Sequence, residues 1–275
     1  IAFNLPDPLR VGRPGSNAND AATGQRQVVS GGNPELDPEK SESWNYGVLF
    51  RPAFAEGLSL SLDYYRIDVD DRIGAPAPAS VILANPDLFP GFVERAAPTA
   101  SDIANGLPGE VIRIRTVLGN FGKASTDGVD LAAEYRFGTA SLGEFTVRAS
   151  GSRVLHSRLQ SRRDLPTVDT AGTYEVPRTR GSGSVSWSRG NWGAAVTVDY
   201  ISSFDDLAPS TRRVSSQTIT GLQASYSLPY MTKVTLGVNN LFDEKPPLTS
   251  GSTGYAERTS YYLPRFIYLD ATWKF

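Results

Sequence analysis

The chain contains a single histidine, His156, and no cysteine, so the side chains that most often carry catalysis or bind transition metals are scarce. A histidine–cysteine metal centre needs several such ligands, and a catalytic relay needs a nucleophile beside the imidazole. The residues around His156 supply neither, and its place at the end of a strand pattern favours an ordinary surface role. The sequence therefore predicts a protein that is not an enzyme and that holds no cofactor.

Three carboxylates, Asp68, Asp70 and Asp71, crowd the end of another strand pattern. Carboxylate oxygens are the ligands that Ca²⁺ prefers, but the spacing departs from the pattern of a calcium-binding loop. A solvated, charged rim is the favoured interpretation of these residues.

Two groups of residues have side chains suited to binding a ligand. Arg113 and Arg115 alternate with isoleucines, and guanidinium groups on one side of a strand attract anions; pairing with neighbouring acids is the alternative. Tyr255, Tyr261 and Tyr262 lie in the last long loop, where their rings can stack on a ligand or mark a membrane boundary. We predict these five residues as candidate ligand contacts.

The elements that position these residues are strands, because apolar and polar residues alternate with period two in many segments. Tyr46, Val48 and Phe50, for example, are separated by single residues. About nine segments follow this pattern: residues 41–52, 58–65, 127–137, 144–150, 176–187, 192–200, 222–228, 234–239 and 267–275.

The two faces of these strands differ in a way that favours a membrane barrel over a soluble sandwich. Aromatic rings near the strand ends of the apolar face are typical of a spanning barrel, whose interior is polar. The aromatic residues are Trp44, Tyr46, Tyr135, Phe137, Trp187, Trp192, Tyr200, Tyr226, Trp273 and Phe275. The charged residues of the other face are Arg51, Asp63, Asp130, Glu134, Arg136, Arg148, Asp199, Asp270 and Lys274.

Composition excludes two other classes of protein. Hydrophobic residues make up 40% of the 275 residues, and no window approaches the roughly 20 consecutive apolar residues of a spanning helix. The net charge of −2 gives no basic surface for nucleic acid.

The connections between the strand patterns alternate in length. Short ones lie at 53–57, 138–143, 188–191 and 228–231, and long ones at 73–109, 157–175, 202–212 and 241–262. Outer-membrane barrels place short turns in the periplasm and long loops outside, so the last strand is expected to end in the periplasm. Because such barrels have even strand numbers, about nine strands indicate a portion of a larger barrel, with residues 1–40 as the tail of a preceding external loop.

Four local patterns carry a family resemblance. Residues 33–43 read NPELDPEKSES and residues 58–73 read LSLSLDYYRIDVDDRI. Residues 120–131 read NFGKASTDGVDL, and residues 237–247 read GVNNLFDEKPP ahead of a terminal aromatic strand. In this order they resemble TonB-dependent receptors, the gated transporters of the Gram-negative outer membrane.

The resemblance implies an all-β fold, a transmembrane antiparallel β-barrel. Residues 41–275 would supply about nine C-terminal strands of a roughly 22-stranded barrel with a plugged lumen. The family's N-terminal plug domain has no counterpart in these residues, so contact with the TonB–ExbB–ExbD complex is expected through a missing N-terminal region. Localisation in the outer membrane, among its lipids, follows from the same resemblance.

The last strand resembles the signal that the barrel assembly machinery recognises by edge pairing. Its alternating residues are Ile267, Leu269, Ala271, Trp273 and Phe275. A lipid-facing strand that ends among the interfacial aromatic residues has the same pattern, and one stripe can serve both purposes.

Three hypotheses for function follow. The leading one is the barrel segment of a TonB-dependent receptor that takes up a scarce, bulky nutrient such as a ferric siderophore, cobalamin or an oligosaccharide. The alternative is a complete small outer-membrane barrel that acts as a passive porin or as a structural or adhesion protein. A weaker third is a soluble sandwich that binds carbohydrate. The sequence alone does not identify the ligand.

Overall fold

The structure is a computed structural model that describes residues 2–21, 24–207, 209–229, 232–251, 253–256 and 260–273. It divides into two compact units. The first comprises Ile1–Ser41, Val69–Ala124 and Gln160–Thr167, and the second comprises Glu42–Asp68, Ser125–Leu159 and Val168–Phe275. No helix in the described ranges is long and apolar enough to cross a membrane.

The elements of the N-terminal half alternate between long strands and short pieces. In chain order they are β1 (Ala2–Asn4), a 3₁₀ turn (Ala18–Asp20), β2 (Gln25–Gly31), β3 (Lys40–Phe50), β4 (Leu58–Gly74), α1 (Ala79–Ala84), a 3₁₀ turn (Pro86–Leu88), β5 (Val93–Arg95), α2 (Ala100–Ala104), β6 (Val111–Val117), β7 (Gly119–Thr139) and β8 (Gly143–Gln160).

The C-terminal half contains strands only, among the residues that the structure describes. They are β9 (Val168–Asp169), β10 (Thr179–Arg189), β11 (Trp192–Ile201), β12 (Phe204–Asp205), β13 (Arg213–Val214), β14 (Gln217–Leu228), β15 (Thr232–Asn239) and β16 (Phe266–Trp273).

The long strands form one antiparallel sheet in the order β3-β4-β7-β8-β10-β11-β14-β15-β16, and the two-residue β9 pairs with β8 beside it. Each of the nine strands therefore lies next to its predecessor in the sequence, which is the arrangement that short and long connections produce in an up-and-down barrel. The prediction of about nine consecutive antiparallel strands is confirmed.

The register of the sheet keeps the apolar residues on one face, because directly paired residues point to the same side. Val185 pairs with Val147 and Val196, and the apolar row continues through Leu222, Val238 and Ile267. The adjoining positions form polar rows, in which Ser182 pairs with Ser150 and Asp199.

The apolar face is open over most of its area. On β3 the side chains of Tyr46 and Val48 are 61% and 65% exposed, and Leu131 of β7 is 56% exposed. A face of this kind is an aggregation hazard in water and a favourable surface in lipid. The two faces thus have the polarity that a membrane-spanning sheet requires.

The first unit has a different architecture, built on a four-stranded sheet in the order β1-β2-β6-β5. Strands β2 and β6 are parallel, with Val28 opposite Ile114. These two residues form a buried apolar core with two residues of α1, one residue before β5 and the first residue of β6: Ile82, Leu83, Phe89 and Val111.

Buried charges hold the segments of the first unit together. The guanidinium of Arg10 contacts Asp20 at 3.0 Å and Asp102 at 2.8 Å, and Arg95 contacts Asp7 at 2.7 Å. Although burial opposes it, the ion pair with Arg95 and the backbone N–H of Leu9 lower the pKa of Asp7. A guanidinium therefore faces each of these buried carboxylates and compensates its negative charge.

The secondary structure of the first unit differs most from the sequence-based prediction. Residues 1–40 and 73–109 were predicted as loops, and the structure gives both segments strands or helices with a shared core. The alternation around Arg113 and Arg115 indicated a strand, and this strand, β6, pairs with β2 and β5 in the small sheet. The reason is that a parallel pairing over such a long sequence separation leaves no local signal.

Candidate functional site

The structure brings two of the three predicted tyrosines together. The rings of Tyr255 and Tyr262 are 6.2 Å apart between centroids, with an angle of 86° between their planes. This edge-to-face arrangement is favourable, because the positive edge of one ring meets the negative face of the other. The side chains are 37% and 40% exposed, so both rings remain accessible to a ligand.

Tyr261 is held through its backbone. Its N–H donates to Oε1 of Gln217 at 2.8 Å, and its carbonyl accepts from Nε2 of the same side chain at 3.0 Å. Gln217 is the first residue of β14 and is buried, so this pair of bonds ties the long loop 240–265 to the end of a strand. The backbone directly before Tyr262 is thereby fixed.

A second small core lies among the long loops of the second unit. Phe204, Val214 and Ala256 are buried, and Tyr174 packs against them. The Tyr174 ring meets Phe204 edge-on at 6.2 Å, and its hydroxyl donates to the carbonyl of Tyr255 at 3.1 Å. Loops 161–178, 202–216 and 240–265 therefore contribute to one packed cluster.

Asp206 is the polar centre of this cluster, with a fully buried side chain. Its Oδ1 accepts from the backbone N–H groups of Leu207 and Ser250, and its Oδ2 accepts from the Ser250 hydroxyl at 2.7 Å and from Arg212 Nη2 at 2.9 Å. Burial alone would raise the pKa of Asp206, but the bonds from Ser250, Leu207 and Arg212 outweigh it and lower the pKa to about 2.

Asn240 fixes the two ends of the last long loop. It has a positive φ of 52°, a conformation that asparagine tolerates better than most residues. Its Nδ2 donates to the carbonyls of Glu244 and Leu263, and its Oδ1 accepts from the N–H of Glu244. The loop that carries the tyrosines is thus closed at its base by one buried side chain.

The predicted arginines belong to the first unit, on β6. Arg113 Nε lies 3.0 Å and Arg115 Nη2 lies 3.8 Å from the same Glu94 oxygen. The Arg113 contact is an ion pair without hydrogen-bond alignment. Two guanidinium groups share one carboxylate, so the patch carries an excess positive charge and is about half exposed. Both predicted interpretations, anion attraction and pairing with an acid, are compatible with this geometry.

The other residues considered for chemistry are paired with charges. His156 Nδ1 lies 3.1 Å from Asp127. Asp68 is bound by Arg66, Asp70 by Lys123, and Asp71 by Lys40 and Arg163. Within the described ranges, no three histidine, aspartate or glutamate side chains are grouped so as to hold a metal ion.

Sequence reasoning did not identify Asp206, Arg212, Ser250 or Tyr174. Asp206 and Ser250 are 44 residues apart, and Tyr174 and Tyr255 are 81 apart. None of these residues lies in a recognisable local pattern, so their association becomes visible only when the loops are folded.

Comparison with protein families decides the relationship. The family model described as TonB dependent receptor-like, beta-barrel matches residues 2–241, which is most of the chain. The chain belongs to the TonB-dependent receptor β-barrel family. The family is one of outer-membrane transporters and receptors rather than an enzyme class. No curated protein sequence matches the chain significantly.

Solved structures have the same fold at low sequence identity. A mutant of the ferric enterobactin receptor PfeA from Pseudomonas aeruginosa is 17% identical, with a TM-score of 0.60 over 90% of this chain and 33% of that one. The FrpB iron transporter from Neisseria meningitidis is 15% identical, with a TM-score of 0.58 over 90% and 33%. The copper transporter OprC is 16% identical, with a TM-score of 0.52 over 86% and 31%.

This chain therefore spans about a third of the length of these TonB-dependent receptor structures. Its nine strands are a part of a barrel of that family. At such identities the likeness shows the fold and leaves the ligand open.

In this TonB-dependent receptor barrel, three of the family-like sequence patterns meet at one side chain. Asn120 Nδ2 donates to the carbonyls of Asp37 at 2.8 Å and Asp71 at 2.7 Å, and its Oδ1 accepts from the N–H of Asp37. The carboxylate of Glu39 accepts from the N–H of Ile73. These residues hold strand ends together within the first unit, which gives the patterns a structural role.

The predicted assembly signal lies on β16, at one end of the strand order. Ile267, Leu269 and Ala271 pair with Val238, Leu236 and Val234 of β15. Trp273 continues the same stripe opposite Thr232, and Phe275 lies outside the described residues.

Proposed function

We propose that this chain forms part of the wall of an outer-membrane receptor that takes up a scarce, bulky nutrient with energy supplied through TonB–ExbB–ExbD. The observation that carries the proposal is the nine-stranded sheet with an open apolar face, in a chain that belongs to the TonB-dependent receptor family. Residues 41–275 contain the strands of this barrel portion, and residues 1–40 belong to an external segment, with short strands of its own, that leads into it.

The nutrient class is an iron complex of the siderophore type, with cobalamin and oligosaccharides as alternatives. Relatives of the same fold include a ferric enterobactin receptor, an iron transporter and a copper transporter, which supports uptake of metal complexes in general. Each unit offers its own candidate contact. In the second unit the exposed rings of Tyr255 and Tyr262 offer stacking surface. In the first unit, Arg113 and Arg115 offer positive charge that attracts anions.

Two further partners belong to the proposal. Lipid covers the apolar face of the sheet, because side chains such as Tyr46 and Val48 have no protein cover there. The barrel assembly machinery recognises β16 through the stripe Ile267, Leu269, Ala271, Trp273 and Phe275. Truncating the chain before residue 267 is expected to abolish outer-membrane insertion, measured by protease protection in isolated membranes.

Uptake experiments test the proposal. The full-length receptor is expressed in a Gram-negative strain that lacks its own siderophore receptors, and uptake of radioactive iron is measured with ferric enterobactin and with ferrichrome. Uptake of at least one complex that disappears when tonB is deleted supports the proposal. Uptake that is unchanged without TonB, or a small-solute conductance of the folded chain in a planar bilayer, favours the passive porin instead.

A further inference from the structure

Tyr255, one ring of the exposed tyrosine pair, stands on a short hairpin that Asp206 and Tyr174 anchor from two sides. Leu248 and Tyr255 face each other in an isolated antiparallel bridge, and the N–H of Thr249 donates to the carbonyl of Gly254 at 2.8 Å. The hairpin therefore begins next to Ser250, the residue whose N–H and hydroxyl both bind the Asp206 carboxylate. Ser250 and Tyr255 therefore belong to the same short hairpin.

Asp206 holds that hairpin through a second route. Its partner Arg212 donates to the carbonyl of Leu248 at 2.8 Å while it also donates to Asp206 Oδ2. Asp206 thus fixes both Leu248 and Ser250, which flank Thr249 at the base of the hairpin. The opposite side of the hairpin is held by the Tyr174 hydroxyl at the Tyr255 carbonyl.

Burial makes this arrangement selective for an ionised carboxylate. The Asp206 side chain has no exposed surface, and its two oxygens accept from three N–H groups or hydroxyls in addition to the guanidinium. An amide of the same shape presents hydrogens to these donors, so it leaves several of them unsatisfied. The geometry therefore depends on the charge of Asp206 as well as on its volume.

We propose that Asp206 is a positioning residue that fixes the edge-to-face geometry of Tyr255 and Tyr262, so that the loops present a preformed surface for an aromatic ligand. The inference rests on the proposed function, because it assigns the tyrosines to recognition. Leu248, which is 61% exposed, extends the same surface with an apolar side chain. A preformed surface binds without the ordering cost of a flexible loop.

The ligand class follows from the side chains at the surface. Two rings and one aliphatic side chain lie exposed, and the half-exposed guanidinium of Arg212 is already paired with the buried carboxylate of Asp206. Stacking and apolar contact are therefore the main interactions that the surface offers, which selects for planar rings over saturated polyols.

The test uses the full chain labelled with 3-fluorotyrosine and folded in detergent micelles, with the fluorine signals assigned through Tyr255→Phe and Tyr262→Phe. We expect Asp206→Asn to shift both signals and to accelerate amide exchange at Ser250 about tenfold or more. The matched control is Asp205→Asn, since Asp205 is the adjacent residue, is largely exposed and pairs only with Arg213 among the ion pairs of the described residues. This control is expected to leave the two signals in place.

Binding is probed with catechol, and cyclohexane-1,2-diol serves as the non-aromatic control. In the unmutated chain catechol shifts the two assigned signals and the diol does not, and Asp206→Asn loses the response. Unchanged signals in Asp206→Asn, an equal effect of Asp205→Asn, or an equal response to both probes would overturn the inference. If Asp206→Asn does not fold, Ser250→Ala is measured instead, because it removes one bond to Asp206 Oδ2 and keeps the carboxylate.

The two proposals fail separately. The fluorine and exchange measurements need no transported nutrient, so they decide the role of Asp206 whatever the uptake experiment gives. If the uptake experiment finds no TonB-dependent uptake while the chain still responds to catechol, the proposed function alone is contradicted.

Discussion

Large aliphatic residues are buried in the first unit and exposed on the nine-stranded sheet. In the first unit, Ile82 and Ile114 are completely buried, because residues of α1 pack against the sheet of that unit. In the large sheet, Val48 and Leu269 stand on an open face and are 65% and 73% exposed. One chain therefore contains a fold suited to water and a surface suited to lipid.

The charged residues show the same contrast. In the first unit, Arg10 and its partners Asp20 and Asp102 are buried. On the sheet, Glu134 binds Arg136 and Arg148 at 2.6 and 2.7 Å, and all three lie on the polar face with substantial exposure. Buried ion pairs therefore join separate segments in the first unit, whereas the ion pairs of the large sheet lie on its exposed polar face.

The largest expected effect is the loss of a buried charge in the first unit. Arg10→Ala leaves the Asp20 and Asp102 carboxylates without their shared partner, and breaking a buried pair in this way costs about 3–5 kcal/mol. We expect the opening free energy of residues 111–117, from amide exchange, to fall by that amount. Arg13→Ala, which removes an exposed arginine of the same segment, is the control and is expected to change it little. Equal effects of the two substitutions would contradict the contrast.

The next effect concerns the open face of the sheet. Leu62 is exposed on the apolar face of β4, and an arginine near the middle of a bilayer costs about 2–4 kcal/mol. Leu62→Arg is expected to lower the free energy of unfolding in lipid vesicles, measured by guanidinium titration. Ser61→Arg places the same charge on the polar face and should have little effect. A larger loss for Ser61→Arg would reverse the assignment of the two faces.

A smaller effect, confined to the loops, comes from Asp206. Its pKa is about 2 in the folded protein against 3.8 in the unfolded chain, so its ionised form contributes about 2 kcal/mol. Because the folded pKa is depressed, this contribution is complete above about pH 5 and is lost as the pH falls through about 2. Amide exchange at Ser250, corrected for its intrinsic pH dependence, should show protection that weakens over this range. Asp206→Asn should remove that pH dependence. An unchanged pH profile of exchange in this variant would contradict the role of Asp206 as a positioning residue.

The same contrast explains what the sequence could predict. Alternation is a property of adjacent residues, so Tyr46, Val48 and Phe50 indicate a strand and its apolar face without knowledge of any partner. The order of the strands then follows because each connection joins neighbours. The nine strands, their faces and the alternating connections were predictable for this reason.

Contacts between distant segments were not predictable. Arg10 and Asp102 are 92 residues apart in the sequence. Strand β2 and its parallel partner β6 are also far apart in the sequence, although they pair in the fold. The site shows the same limit. The predicted tyrosines Tyr255 and Tyr262 do meet, but no local sequence pattern around Asp206 indicates that it holds the hairpin of Tyr255. Buried polar networks of this kind depend on loops that pack only in the folded chain.

The account depends most directly on the claim that the apolar face of the sheet contacts lipid. The chain has no cysteine, so single cysteines at successive positions from 129 to 134 of β7 can each carry a spin label in lipid vesicles. Collision rates with oxygen, which enters lipid, and with a water-soluble nickel chelate should alternate with period two. Oxygen should dominate at Leu131 and Ala133, and the chelate at Asp130 and Ala132. Chelate access at all six positions would contradict the claim.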